Sequence, residues 1–209
     1  MNQAKSGAER SPHCFELTPP TLVALRLLCV CLCSFAPRSA GIQYVSPISN
    51  FPAAQWDRVI SINLTSAFHT IQASLPHLLK SGQGRVINVA SVHGLVASAN
   101  KSAYVAAKHG LIGLTKAVAL EQANAGITVN AIAPGWVLTP LVQQQIEARA
   151  KASGRTIAEE KVLLVGEKQP MHEFSTPEGL GALAVFLCQP EAKSITGTTM
   201  TMDGGWTAQ

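Results

Sequence analysis

Three side chains of this sequence have the types and the spacing needed for acid–base chemistry on a hydroxyl group: Ser91, Tyr104 and Lys108. Tyr104 and Lys108 are four residues apart, which places them on one face of a helix, one turn from each other. A phenol has an unperturbed pKa of about 10, and a fixed ammonium group beside it is expected to lower that pKa. The Ser91 hydroxyl can then hold a substrate oxygen while Tyr104 gives or takes its proton, which is general acid–base catalysis.

The composition predicts one folded domain. The chain has 209 residues, of which 47% are hydrophobic and 13% are charged. It is therefore long enough for one domain with a substantial core and too short for two ordinary ones. The net charge of +4 is modest, and lysine and arginine are scattered without a basic run, so we expect no nucleic-acid partner.

Four of the five cysteines lie within the first 33 residues. The run Cys29, Cys31 and Cys33 lacks the two-residue gap typical of zinc sites, and no histidine pair follows at ligand spacing. We therefore expect buried or incidental thiols and no metal site. The part from residue 40 onward has a single cysteine, which is typical of a reduced, cytoplasmic protein.

Residues 1–39 differ in composition from the remainder. Residues 1–20 are polar and rich in turn formers, and residues 21–36 are almost wholly apolar. The apolar run is shorter than the ~20 residues needed to cross a bilayer, so we expect no membrane span. It has the length of a signal-peptide core, but a buried strand or helix is favoured over a signal, and an unrelated segment joined to an incomplete enzyme is favoured most. We divide the chain into an unrelated or aberrant segment, 1–39, and a catalytic part, 40–209.

From Gly41 onward, helical patterns alternate with short apolar runs. Helices are predicted over 53–79, 102–123, more loosely 138–165, and from 175 to about 188, and strands over 85–91, 127–133 and 198–202. Residues 82–84 are interpreted as a hairpin-like turn. Long helices between short apolar strands are typical of a parallel sheet with helices on both faces. The predicted fold class is α/β: an incomplete Rossmann-type, doubly wound parallel sheet that lacks the first βαβ units.

The spacing of Ser91, Tyr104 and Lys108 resembles the signature of the short-chain dehydrogenase/reductase family. Further landmarks are similar in order and spacing: Asn63, the turn Pro134-Gly135, and the ending Asp203-Gly204-Gly205. Taken singly, these are a polar helix residue, a turn and a loop. The resemblance implies that Asn63 joins the catalytic set by holding a proton-relay water near the lysine. It also implies cofactor contacts from Gly41, Tyr104, Lys108, Pro134, Gly135, Val137 and Thr139.

Over residues 40–209 the closer resemblance is to bacterial-type D-3-hydroxybutyrate dehydrogenases. It is carried by residues 41–43, 91–98, 101–104, 134–137 and 143–145, and by Trp206. It implies that the substrate carboxylate is bound by Gln43, His93, Lys101 and Gln145, and that the pocket is walled by Trp136 and Trp206. A short hydroxy acid carries one carboxylate, which needs a cation and several donors when it leaves water. Alone, each of these residues would be an ordinary surface or packing residue, and only their combination indicates a site.

No glycine-rich turn of the kind that binds a pyrophosphate occurs in the sequence. None of the 16 glycines forms a G-x-G-x-x-G pattern, and the family's Asn-Asn-Ala-Gly motif is represented only by Ser39-Ala40-Gly41. The resemblance therefore implies ancestry more firmly than activity, and the cofactor NAD is expected from the resemblance alone. A sheet that lacks its first strands exposes an apolar edge, unless residues 21–36 supply a substitute strand.

Three functions remain open at this point. The first is NAD-dependent interconversion of (R)-3-hydroxybutyrate and acetoacetate, a reaction of ketone body metabolism. The second is a 3-oxoacyl-carrier-protein reductase-like activity, against which the compact anion-binding set argues. The third is a catalytically silent chain that joins oligomers of full-length homologues. The resemblance implies a homo-oligomer, a tetramer, assembled through the helices over 53–79 and 102–123 and through the C-terminal helix and strand.

Overall fold

A computed structural model of the protein describes the backbone of residues 29–31 and all of residues 41–209 except the side chain of Leu141. Three interpretations fall on other residues: the signal-peptide reading of 21–36, the cysteine run as a whole, and the boundary between residues 39 and 40. They lie outside the described residues and stay predictions.

Four parallel strands form one sheet in the order β1-β2-β3-β4. The strands are β1 (Cys29–Cys31), β2 (Arg85–Val89), β3 (Thr128–Pro134) and β4 (Thr199–Met202). In the register, Val30 lies opposite Val86, and Ile132 lies opposite Met200. The three predicted strands are confirmed, and β1 shows that the 21–36 segment does place a short strand on the edge of β2.

Six α-helices in residues 41–209 connect and cover the strands. They are α1 (Ala53–Ile60), α2 (Ser66–Ser81), α3 (Ser102–Glu121), α4 (Pro140–Ser153), α5 (Ile157–Gly166) and α6 (Pro177–Cys188). The predicted helix over 53–79 is interrupted by one π-helical stretch, Ser61–Thr65, which the periodicity did not predict. The loose prediction over 138–165 becomes two helices, with Gly154 in the left-handed conformation at the end of α4.

The turn at 82–84 corrects one prediction. Gly82 has a φ of 63° and ends α2, and its N–H donates to Leu79 O at 3.2 Å. A left-handed glycine after the last helical residue is a common way to end a helix. The turn therefore joins a helix to the parallel strand β2, and the hairpin interpretation was wrong because a hairpin needs two antiparallel strands.

Apolar residues alternate across the sheet and bury against helices on both faces. Val86 and Val129 cluster with Ile71 of α2, and Ala131 clusters with Leu111 of α3. On the opposite face, Ile87 and Ile132 cluster with Ala184 and Leu187 of α6. This is the doubly wound α/β arrangement, which confirms the predicted fold class. In such sheets, ligands bind beyond the carboxyl ends of the strands, and Ser91 follows that end of β2.

No helix among the described residues is long and apolar enough to cross a membrane. Within the same residues, no group of three or more histidine, cysteine, aspartate or glutamate side chains has an arrangement that could hold a metal ion.

Candidate active site

Ser91 is positioned by the end of β2 and by the short helical turn that follows it. It caps the 3-10 turn Val92–Gly94, and its side-chain oxygen accepts a hydrogen bond from the His93 backbone N–H at 3.2 Å. The same oxygen lies 3.5 Å from His93 Nδ1, and its hydrogen bond with Tyr104 opposes the effect of burial on that phenol. The position of Ser91 at the end of β2, its hydrogen bond from the His93 N–H and its hydrogen bond with Tyr104 thus fix the Ser91 hydroxyl in one place.

Tyr104 and Lys108 lie on one face of α3, as the spacing predicted. Lys108 is buried, and its Nζ donates a hydrogen bond to Val89 O at 2.9 Å. The same Nζ lies 5.6 Å from the centroid of the Tyr104 ring. The three side chains predicted to form the catalytic cluster are therefore brought together by β2 and α3.

The electrostatics of this cluster differ from the sequence-based expectation. Burial raises the pKa of Tyr104 above 10, and the hydrogen bond with Ser91 only partly opposes it. Burial also lowers the pKa of Lys108 from 10.5 to about 8, because removal from water disfavours the charged form of both groups. The net shift of the Tyr104 pKa is therefore upward and not downward as expected, because desolvation dominates and a pattern of spacing carries no information about desolvation.

Gly94 explains how the turn after Ser91 can approach α3 so closely. A Cβ atom on Gly94 would lie 2.8 Å from Lys108 O and 2.6 Å from Ile112 Cδ1. Any side chain there would push the turn away from the helix. The glycine in the sequence Ser91-Val92-His93-Gly94 therefore sets the distance between the serine and the lysine.

His93 forms part of the same cluster. Its Nε2 lies 2.9 Å from Ser98 Oγ, and its ring packs edge-on against Tyr104 and Trp206, with centroids 5.8 and 5.5 Å away. Burial, followed by the charges of Lys101 and other basic groups, lowers the pKa of His93 from 6.5 to about 4. His93 is therefore neutral at physiological pH and can form a hydrogen bond with a substrate. A positive charge that pairs with a substrate carboxylate must come from another residue.

Lys101 is half-buried at the start of α3, and burial lowers its pKa. Its positive charge contributes to the lowered pKa of His93. An ammonium beside a neutral imidazole is suited to attract an anion to this side of the cluster.

A cleft of about 690 Å³ opens beside the three catalytic candidates. Ten of the predicted site residues line it: Gly41, Gln43, Asn63, Ser91, Tyr104, Lys108, Pro134, Gly135, Val137 and Gln145. Five do not: His93, Lys101, Trp136, Thr139 and Trp206. His93 instead packs between the rings it contacts, Tyr104 and Trp206. Thr139 caps α4 by accepting from the Val142 N–H at 3.3 Å.

Asn63 lies in the π-helical stretch and is 5% exposed. Its Nδ2 donates to Ile42 O at 2.7 Å, and its Oδ1 accepts from the Ile42 N–H at 3.1 Å. The π turn, a feature often found at functional sites, thus points this amide at the backbone of residues 41–43. Both ends of the amide hold that backbone, and the predicted water-relay role stays a prediction.

Sequence reasoning missed three polar residues at or beside the cleft: Asn88, Ser98 and Gln169. Asn88 is fully buried, and its Nδ2 donates to Thr115 Oγ1 at 2.8 Å. A polar residue inside the apolar run of β2 was a signal that could have identified it. Ser98 lies within the run 91–98 that carries the resemblance, but no role was assigned to it there. Gln169 bonds to Trp136, 33 residues away, and no local pattern marks it.

The comparisons with known proteins agree with this geometry. Residues 33–207 match the family described as "Enoyl-(Acyl carrier protein) reductase". The chain belongs to the short-chain dehydrogenase/reductase family.

Within that family, the chain is similar to two curated relatives named "D-beta-hydroxybutyrate dehydrogenase". It is 59% identical to the protein of Cupriavidus necator over 171 residues and 55% identical to that of Rhizobium meliloti over 173 residues. Each match covers 82% of this chain and 66% of the relative. The chain thus spans just under two thirds of the length of these relatives.

Solved structures show the same likeness. A mutant 4-hydroxyisoleucine dehydrogenase in complex with NADH and succinate is 30% identical, with a TM-score of 0.71 over 81% of this chain and 66% of that one. Levodione reductase is 36% identical, with a TM-score of 0.70 over 80% of this chain and 64% of the other.

Proposed function

We propose that this chain is the catalytic part of a dehydrogenase that interconverts (R)-3-hydroxybutyrate and acetoacetate with NAD. The observation that carries the proposal is the cluster of Ser91, Tyr104 and Lys108 beside a cleft, with neutral His93 and half-buried Lys101 next to it. The 59% identity to a D-beta-hydroxybutyrate dehydrogenase supports the choice of substrate.

The residues that line the cleft fit the nicotinamide end of NAD. Lys108 has two N–H donors beyond the one that binds Val89 O, and Asn88 Oδ1 is a buried acceptor without a hydrogen-bond partner among the residues that the structure describes. Lys108, Gly41, Pro134, Gly135 and Val137 would hold that end, with Thr139 nearby. Bound NAD would supply the acceptor for the hydride that leaves C3 of the hydroxy acid. Related structures carry NADH or NADP, and NAD is proposed from the resemblance.

In the proposed reaction, Ser91 steadies the substrate oxygen and Tyr104 exchanges the proton on it. Reduction of a ketone needs the phenol form of Tyr104, and oxidation of an alcohol needs the phenolate. Because burial raises the pKa of Tyr104, the phenol form dominates at neutral pH. The rate of hydroxy-acid oxidation should therefore rise with pH, and the rate of ketone reduction should fall.

The acid group of the substrate would lie toward Lys101, with hydrogen bonds from His93, Gln43 and Gln145. Trp136 and Trp206 would bound the small pocket. Lys108 would also orient Tyr104, and Asn63 would pass the proton on through water. The substrate is thus a small hydroxy or keto acid, and the proposed location of the protein is the cytoplasm.

A direct assay tests this proposal. Purified protein is mixed with NAD or NADP and with D-3-hydroxybutyrate, its L enantiomer, or, in the reverse direction, free acetoacetate and an acetoacetyl thioester. We expect reduced nicotinamide only with the D enantiomer, and faster reduction of free acetoacetate than of the thioester. Faster reduction of the thioester would instead favour the 3-oxoacyl-carrier-protein reductase-like alternative.

Exposed apolar side chains favour a second candidate function, in which this chain associates with copies of itself or with full-length homologues. Phe68 on α2 is 44% exposed, Leu120 at the end of α3 is 80% exposed, and Val185 on α6 is 59% exposed. Light scattering of the protein alone and mixed with a full-length homologue measures this association, and a tetramer is the state that we propose. Association without nicotinamide binding would favour the silent-partner function over catalysis.

A further inference from the structure

Gln169 is a fully buried polar residue that follows α5, and neither the sequence nor the family resemblance assigns it a role. Its side chain is 0% exposed. Its Oε1 accepts a hydrogen bond from the Trp136 backbone N–H, and its Nε2 donates to Glu173 O at 2.6 Å. Both ends of the amide are therefore engaged, as expected for a buried polar group.

Two glycines make room for this side chain. A Cβ atom on Gly135 would overlap Gln169 and lie 2.9 Å from Asp203 Cα. A Cβ atom on Gly204, which has a φ of 57°, would lie 2.9 Å from Gln169 Nε2. The turn after β3, the segment after α5 and the turn after β4 thus meet at a single amide.

The turn after β3 reaches the cleft directly. Gly135 and Val137 line it, and Trp136 lies between them. The Ser175 N–H donates to Trp136 O at 2.9 Å, and the Leu138 N–H donates to Ser175 O at 3.1 Å. Gln169 and Ser175 therefore hold the two backbone groups of Trp136: Gln169 accepts from its N–H, and the Ser175 N–H donates to its carbonyl.

The turn after β4 is tied to the same region. The Met171 N–H donates to Gly204 O at 3.1 Å, and the Gly135 N–H donates to Met202 O at 3.0 Å. Trp206, whose ring contacts His93, follows two residues after Gly204. The Gln169 amide therefore contacts the backbone of Trp136 and the turn that leads to Trp206, the two tryptophans predicted to wall the acid pocket.

We propose that Gln169 is a positioning residue: it sets the place of Trp136 and of the turn 135–137, and so determines how tightly the site binds the small acid. This inference rests on the proposed function for the identity of the acid. Gln169 does not touch the reacting atoms, because it is not among the residues that line the cleft. Its loss should therefore act on substrate binding more than on the chemical step.

The test compares Gln169→Met with the wild type. Methionine has nearly the same length and removes both hydrogen bonds, which leaves the Trp136 N–H and Glu173 O without this partner. Gln189→Met is the matched control, because Gln189 is exposed at the end of α6 and distant from the cleft in the fold. We expect the KM for D-3-hydroxybutyrate to rise about tenfold in Gln169→Met, with kcat changed by less than about threefold. Gln189→Met should match the wild type.

A purely structural role for Gln169 predicts a different division of the effect between kcat and KM. The variant would then lose active protein, so kcat per total protein would fall while KM stayed at the wild-type value. Unfolding by urea, recorded for the same samples, gives the fraction folded and separates the two outcomes. An unchanged KM in folded Gln169→Met would overturn the proposal.

A second measurement does not depend on turnover. In a Trp56→Phe, Trp206→Phe background, Trp136 is the sole tryptophan, and its fluorescence quenching by acrylamide reports how well its position is fixed. We expect Gln169→Met to increase the quenching constant about twofold or more relative to Gln189→Met, since its peptide N–H is released. Equal quenching in the two variants would contradict the positioning role, even if the wild type shows no dehydrogenase activity.

Discussion

The two borders of the cleft are built in contrasting ways. The proposed catalytic border consists of Ser91, Tyr104 and Lys108, which come from the end of β2 and the first turns of α3. The Gly41 border consists of residues 41–43, which belong to no helix or strand, and Gly41 and Gln43 are exposed. The first border is held by secondary structure and burial, and the second is held at Ile42 by the amide of Asn63.

This difference separates the residues proposed to carry out the reaction from the residues proposed to bind ligands. The groups proposed to move a proton lie on elements that the core fixes independently of any ligand. The residues at the Gly41 border depend on a side chain reaching across 21 positions of the chain. We therefore expect substitutions at the catalytic border to remove activity without unfolding the protein, and substitution of Asn63 to loosen the fold as well as the site.

The largest effect is expected for Lys108→Met. Loss of the ammonium group should reduce turnover by at least about a hundredfold, since the charge that orients and stabilises the reacting groups is gone. Stability should change little, because burial of the ammonium disfavours it in the folded state while its hydrogen bond to Val89 O favours it. Lys116→Met, on the exposed side of α3, is the control, and equal turnover in both variants would contradict the assignment of the catalytic border.

Asn63→Leu is expected to have the next largest effect. The substitution nearly preserves volume but leaves the N–H and carbonyl groups of Ile42 without their partner, which should lower the free energy of unfolding by roughly 1–3 kcal/mol. Urea unfolding measures the change. Asn124→Leu, in the exposed turn that follows α3, should cost less than about 0.5 kcal/mol. A stable Asn63→Leu protein would show that the Gly41 border does not depend on this amide.

The smallest effect concerns the pH dependence of stability. The pKa of His93 falls from 6.5 to about 4 on folding, so the unfolded chain binds a proton between these pH values that the folded chain does not. The free energy of unfolding should therefore decrease as the pH falls from about 6.5 to about 4. Unfolding curves measured across this range should show that the free energy of unfolding decreases less steeply for His93→Gln than for His69→Gln. His69 is an exposed residue on α2 and serves as the control. Parallel curves would mean that His93 is not buried in the neutral form.

The sequence was sufficient for the catalytic border because its information is local. The four-residue spacing of Tyr104 and Lys108 places them on one helix face. The apolar run before Ser91 forms a strand, and Ser91 lies just after the end of that strand. The alternation of strands and helices likewise predicted the doubly wound sheet. These features depend on neighbours in the chain, which a pattern records.

What could not be predicted depends on contacts between distant segments. The π stretch that turns Asn63 toward Ile42, the meeting of three turns at Gln169, and the direction of the Tyr104 pKa shift all follow from packing and burial in three dimensions. The short strand Cys29–Cys31 was considered only as an option, because three residues carry too little periodicity to indicate a partner.

The turnover of Tyr104→Phe tests the central claim most directly. The variant keeps the ring and its packing against His93 and removes only the hydroxyl group, while Tyr44→Phe, the substitution of the other tyrosine in the chain, is the control. With D-3-hydroxybutyrate and NAD, we expect reduced nicotinamide to form with the wild type and Tyr44→Phe at similar rates, and at least about a hundredfold more slowly with Tyr104→Phe. Similar rates for all three proteins, or no reaction with the wild type, would contradict the assignment of this cluster as a dehydrogenase active site.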